Sequence, residues 1–248
     1  KGFDIVQLVN ENSFKTTPVL EVKLIKIIKN NNKNLFLLSC GTDFKSIQYA
    51  LNKNFRYSIL TPYFNNKKLK NSYRHILKYN NKHFKNLHEY IYKNIKGVIS
   101  SDLDYHIPLK EEIKYLGMIP NPINLSKIKY NKLKIDGEII IFHGINIKNS
   151  IKKGNNYFQK SMKIIKELHG NKIKYIEVKN LNYNDYVKSY DSCHIFLDQV
   201  YAYDQGYNAL EAMAKGKVVF TGAEKEWLDH YNLIEDSIAI NALPETNY

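Results

Sequence analysis

The chain has 248 residues, 44% of them hydrophobic and 13% aromatic, which excludes a disordered chain and gives one or two domains ample material for a core. No apolar run reaches the roughly 18 residues that cross a bilayer, and no secretory signal is visible. The formal charge of +13 comes from lysines spread along the whole sequence, without an Arg-rich stripe or nucleic-acid motif, so a nucleic-acid partner is not expected.

Residues 3–9 read as a strand, 19–28 as a helix, 35–40 and 57–60 as strands, and 67–93 as a long helical region. Residues 97–101 close this half with a buried strand, followed by Asp102-Leu103-Asp104-Tyr105-His106-Ile107-Pro108. The prolines of Ile119-Pro120-Asn121-Pro122-Ile123-Asn124 break the periodicity and mark a linker. The second half alternates more cleanly. Strands are expected at 138–142, 174–178, 194–198, 218–221 and 237–240, and helices at 157–168, 184–189, from 206, and 224–231. Strands alternating with helices imply right-handed βαβ units and parallel sheets. The expected fold class is α/β with two Rossmann-like domains, at 1–120 and 125–248.

The densest chemistry lies between His194 and Gly222. A strand ends at Asp198-Gln199, and an aromatic loop follows, Val200-Tyr201-Ala202-Tyr203-Asp204-Gln205. A helix then opens with Gly206-Tyr207-Asn208-Ala209-Leu210-Glu211-Ala212-Met213-Ala214. A glycine at a helix start lets a ligand approach the backbone, and the uncapped amides there suit phosphate. An acid one turn later can accept bonds from sugar hydroxyls. The same residues also read as a capping box, with Asn208 as N-cap and Glu211 reaching back to its amide.

This segment resembles the donor-binding motif of GT-B glycosyltransferases, family 4 in particular. That motif is a glutamate, seven residues, then a second glutamate within Glu-Ala-Met-Ala, followed by Gly-Lys-Pro-Val. Glu211-Ala212-Met213-Ala214 and Gly216-Lys217-Val218-Val219 match it. Gly206 takes the inner glycine and Glu211 the second glutamate, whereas Tyr203 stands at the first, with Asp204 one step later. The resemblance implies transfer of a sugar from a nucleotide diphosphate-sugar to a glycan, lipid-linked or protein acceptor, with retention of configuration. No metal or cofactor is implied: the only Asp-x-Asp is Asp102 and Asp104, in the first half, and the eight histidines form no cluster. It also implies an opening strand with a Gly-rich loop, which is not seen, so the N-terminal domain is expected to be incomplete.

Further site residues follow from the resemblance. His143-Gly144-Ile145-Asn146 is expected to leave the first strand of the second domain, with Gly144 and Asn146 near the donor. Lys153-Gly154 matches the Lys-Gly that holds the diphosphate, while Asn146 stands near the usual Arg. The loop Lys179-Asn180-Leu181-Asn182-Tyr183 would border the base, with Tyr183 stacking or packing. Asp198, Tyr203, Gly206, Tyr207, Asn208, Ala209 and Glu211 complete the substrate set, and Lys153, Asp204 and His106 are the catalytic candidates. His106 and His143 each read more readily as structural histidines than as catalytic ones. Two other functions stay open: a degenerate GT-B domain that binds nucleotide or glycan without turnover, and a nucleotide-sugar epimerase.

Cys40 and Cys193 sit in or beside apolar strands without a Cys-x-x-Cys, and are expected as buried thiols in a reducing, cytoplasmic setting. The Lys, Asn, Ile and Tyr background typical of AT-rich coding accounts for the basicity. Contact with the inner face of a membrane is the second expectation.

Overall fold

The structure is a computed structural model that describes residues 2–244. The chain forms two compact units, Lys1–Asn121 and Pro122–Tyr248. The division falls inside Pro120-Asn121-Pro122, where two prolines remove backbone donors and end regular structure.

The first unit carries a parallel sheet of β1 (Ile5–Val9), β2 (Asn34–Ser39), β3 (Gly97–Ser100) and β4 (Tyr115–Met118), in the order β1-β2-β3-β4. Helix α1 (Pro18–Asn30) starts on proline, whose fixed φ suits a first turn. With α5 (Lys82–Asn94) it covers the sheet through Ile25, Leu87 and Ile91, packed on Leu37 and Val98. Between them lie α2 (Phe44–Leu51), α3 (Thr61–Asn65) and α4 (Lys70–Leu77). Asp43 caps α2 by accepting from the Ser46 amide at 2.8 Å.

Three expectations change here. Residues 57–60 form no strand: Thr61 Oγ1 accepts from the Ser58 amide at 2.8 Å, and the segment turns directly into α3. Its apolar character serves packing, since Leu60 is buried among Ile47, Tyr73 and Ile76. The long helical region is broken before α5, because Asn81 accepts from the His83 and Phe84 amides and starts a new helix. Residues 103–109, read without an element, form α6 (Leu103–Leu109).

The second unit has β5 (Ile139–Ile145), β6 (Ile173–Lys179), β7 (Ile195–Leu197), β8 (Val218–Thr221) and β9 (Ile240–Asn241). All pair in parallel, in the order β6-β5-β7-β8-β9. The helices are α7 (Ser150–Lys153), α8 (Asn155–His169), α9 (Tyr183–Ser189), α10 (Tyr207–Ala214) and α11 (Lys225–Tyr231). Successive strand residues face opposite ways. Phe142 and Phe196 therefore join Tyr190, Ala209 and Val219 in one core layer. Ile141 and Leu197 join Phe158 and Met162 in the other.

Strand β5 runs three residues past its expected end, because His143, Gly144 and Ile145 pair with Glu177, Val178 and Lys179. Gly144 is required there: a Cβ would overlap the ring of Tyr186. The expected strand at 237–240 is only Ile240–Asn241. Cys193 is buried as expected, but Cys40 is only half-buried. Among the described residues, no helix is long and apolar enough to cross a membrane.

Candidate functional site

The strand order of the second unit reverses at β5, with β6 on one side and β7 on the other. In doubly wound sheets ligands bind at such a reversal, outside the carboxyl ends of the strands. A cleft of about 290 Å³ opens there. Its walls include Gly144, Asn146, Lys153, Asn180, Tyr183 and Asn208. The Asn180 carboxamide accepts from the Ile147 amide at 3.0 Å, tying the loop after β6 to the loop after β5.

Helix α10 brings its amino end to this cleft through Asn208. Its N-cap is Gly206, and no side chain caps it. The amides of its first turn thus have no intrahelical acceptor and point along the positive end of the helix dipole. The backbone of Gly206 (φ −83°, ψ 173°) suits any residue, and a Cβ there would meet nothing within 4 Å. The glycine therefore answers no packing need of its own.

Lys153 is positioned by a tight turn. Gly154 ends α7 at φ 73°, and the Lys153 carbonyl accepts from the Val200 amide at 2.8 Å. The Lys153 ammonium lies 2.8 Å from Asp198 Oδ1, and Thr221 Oγ1 donates to Asp198 Oδ2 at 3.0 Å. The Asp198 side chain is only 2% exposed and that of Lys153 26%. Asp198, expected among the substrate contacts, is thus a buried counter-ion that holds Lys153 at the cleft.

The loop 200–205 does not present its aromatic side chains to solvent. Val200, Tyr201, Ala202, Tyr203, Asp204 and Gln205 are all buried. Gln205 donates to the Gly222 carbonyl at 2.7 Å, and the Tyr203 carbonyl accepts from the Glu224 amide. Gly222 permits this approach, because a Cβ there would run into the Ala202 and Asp204 carbonyl oxygens. The Tyr203 and Asp204 side chains are therefore buried. Ala209 is likewise a core residue, and Tyr207 is exposed.

The capping box is not formed. The N-cap of α10 is Gly206, two residues before Asn208, and Glu211 accepts from the Tyr183 hydroxyl at 2.8 Å.

His143 lies inside β5 and is fully buried. Asn155 Nδ2 lies 2.8 Å from its Nε2, and its Nδ1 lies 2.8 Å from the Tyr175 hydroxyl. The amide is a donor, so Nε2 accepts and Nδ1 carries the proton. Burial pushes the imidazole down to about 4 despite the nearby Glu177 and Asp198. This is a structural histidine, held neutral. His106 belongs to the first unit, where its Nδ1 lies 2.5 Å from the Tyr115 hydroxyl.

No protein-family model and no curated protein matches this sequence. Solved structures do. Sucrose-phosphate synthase from Thermosynechococcus elongatus aligns at a TM-score of 0.55 and 12% identity, over 98% of this chain and 61% of that one. TarM aligns at 0.57 and 12%, over 98% of this chain and 45% of its own. The shared fold is GT-B. The chain thus spans about half to three-fifths of the length of these neighbours.

The structure groups Gly144, Asn146, Lys153 and Asn208 around one cleft, with Glu211 one helical turn away. Two features escaped the sequence reading. Tyr186 fills the space that Gly144 leaves, and Asn149 lines the cleft. The glycine inside an apolar strand was the available signal for such a close approach.

Proposed function

We propose that the second unit binds a nucleotide diphosphate-sugar and that the protein is a glycosyltransferase of the family 4 kind. The observation that carries this is the cleft at the strand-order reversal, which Lys153 and Asn208 at the uncapped start of α10 both line. A diphosphate lies against Lys153 and those amides. The base rests on residues 179–183, and Glu211 accepts from the ribose. During transfer the bond from the anomeric carbon to the diphosphate oxygen breaks, and its electron pair stays on that oxygen. An acceptor hydroxyl forms the new bond and passes its proton to the departing diphosphate oxygen. The fixed positive groups stabilise the leaving diphosphate, which is where charge grows. Under this reading the transfer is metal-independent and retaining, and the acceptor is a glycan, lipid or protein. His106 and Asp204 are the remaining catalytic candidates. Polysaccharide assembly at the inner face of a membrane is the proposed setting.

A specific observation favours a second reading, that of a binder without turnover. Tyr203 stands where the family acid is expected, and it is buried with Asp204 in the loop wall.

Gly206→Ala separates site from fold. Alanine adopts the observed backbone without strain, so stability should stay within about 0.5 kcal/mol of the parent. Under this reading the diphosphate packs against the backbone at the helix start, where the added methyl would intrude, and affinity for UDP, GDP or ADP should drop about tenfold, or roughly 1.4 kcal/mol. Calorimetry that finds no nucleotide binding in the parent rejects the proposal. Binding without product from any corresponding nucleotide-sugar selects the non-catalytic reading. Activity should also survive EDTA. Loss in EDTA with recovery on manganese would sink the metal-independent step.

A further inference from the structure

The Tyr183 hydroxyl donates to Glu211 Oε1 at 2.8 Å, joining the start of α9 to the middle of α10. This bond is not needed to hold α9. Asn182 caps that helix, accepting from the Asp185 amide at 3.1 Å, and Tyr186 and Tyr190 anchor it in the core. Tyr183 itself is 63% exposed. It walls the 290 Å³ cleft and also a neighbouring one of about 240 Å³, which Glu211, Lys215 and Asp191 line. Tyr183 thus lines both clefts, and its hydroxyl occupies the Glu211 carboxylate that lines the second.

We propose that Tyr183 is a tethered competitor for Glu211, holding its carboxylate with a hydroxyl until a hydroxyl of the ligand takes that place. This inference rests on the nucleotide-binding reading above and adds the residue that holds Glu211 before the ribose arrives. The occupant in the structure is a neutral O–H donor, and the ribose hydroxyls of the proposed nucleotide are donors of the same kind. A ribonucleotide with its hydroxyls displaces Tyr183, and a 2′,3′-dideoxynucleotide does not. Tyr183 also hinders binding slightly, because each ribonucleotide must break an existing bond. Tyr183 is thus a positioning and selectivity residue.

The test is calorimetry of UDP, GDP and ADP, and of their 2′,3′-dideoxy forms, on the parent protein and Tyr183→Phe. Phenylalanine keeps the ring, so packing or stacking on the ring is unchanged. The bound ribonucleotide should tighten about three- to tenfold in the variant, the scale of one released internal hydrogen bond. Its dideoxy form should bind both proteins equally. An unchanged or weaker ribonucleotide affinity overturns the inference and leaves the nucleotide site standing. Equal tightening of both forms also overturns it, because the ring would then act as a steric plug. If the parent binds none of the nucleotides, the site itself fails and this inference falls with it.

Discussion

Lys153→Ala is expected to destabilise the second unit by about 3 kcal/mol, the scale seen when one partner of a buried ion pair is removed. The cause is Asp198. Its side chain is almost wholly buried, with Lys153 Nζ at 2.8 Å as its cation and Thr221 as its other partner. Alanine leaves that charge in the interior beside a single hydroxyl donor. A loss of ligand binding in Lys153→Ala alone would therefore be ambiguous. The double variant Lys153→Ala with Asp198→Asn resolves it, because asparagine can still accept from Thr221 and carries no charge. Urea denaturation should show the double variant recovering more than half of the lost stability. Nucleoside diphosphate affinity should remain about tenfold or more below the parent, the scale of one charge-assisted bond. A single variant within about 0.5 kcal/mol of the parent would mean that Asp198 does not depend on Lys153.

Acidification should remove about 3 kcal/mol from the same unit between pH 6.5 and 4 through His143 alone. Burial lowers its imidazole from an ordinary 6.5 to about 4. Below pH 6.5 the unfolded chain takes up a proton that the folded chain refuses, so the unfolded state binds more protons. Stability from this group is fully present above pH 6.5 and is lost as pH falls through 4. Protonation would also remove the lone pair that accepts from Asn155. Glu177 acts in a different window. Burial raises its carboxyl, but hydrogen bonds from Lys179, Gln159 and Tyr175 outweigh that and hold it at about 2. Its contribution fades only below about pH 4.5, the carboxyl's ordinary value. Urea midpoints of the parent and His143→Gln between pH 7 and 4.5 check this. The parent should lose stability more steeply than the variant, and parallel curves would contradict it.

The strand and helix alternation of the second unit is legible in the sequence for a physical reason. Strands buried on both faces read as short apolar runs, and Ile141-Phe142 and Phe196-Leu197 each supply both core layers. The α10 segment is legible as well, since a glycine before an apolar helix has few other roles. Side-chain placement within the loops is another matter. Tyr203 and Asp204 are polar enough to read as ligand contacts, and only the tertiary structure shows that both are buried. Glu211 fits a cap or a hydroxyl ligand equally well by spacing. Only the arrival of Tyr183 from another helix gives it a partner.

Hydrophobic spacing thus determined the alternation and the glycine at the start of α10, while Lys153 and Glu211 entered as proposed site groups through the resemblance. Which of the polar groups face the cleft depended on contacts between residues far apart in sequence. Lys153 and Asp198 are 45 positions apart, and Tyr183 and Glu211 28. Hydrophobic periodicity reports which face of an element is buried, and carries no information on which neighbour covers it. His143 illustrates this most directly. The residue alone reads as structural more readily than catalytic, and only its burial in β5 beside Asn155 and Tyr175 makes it a neutral core group.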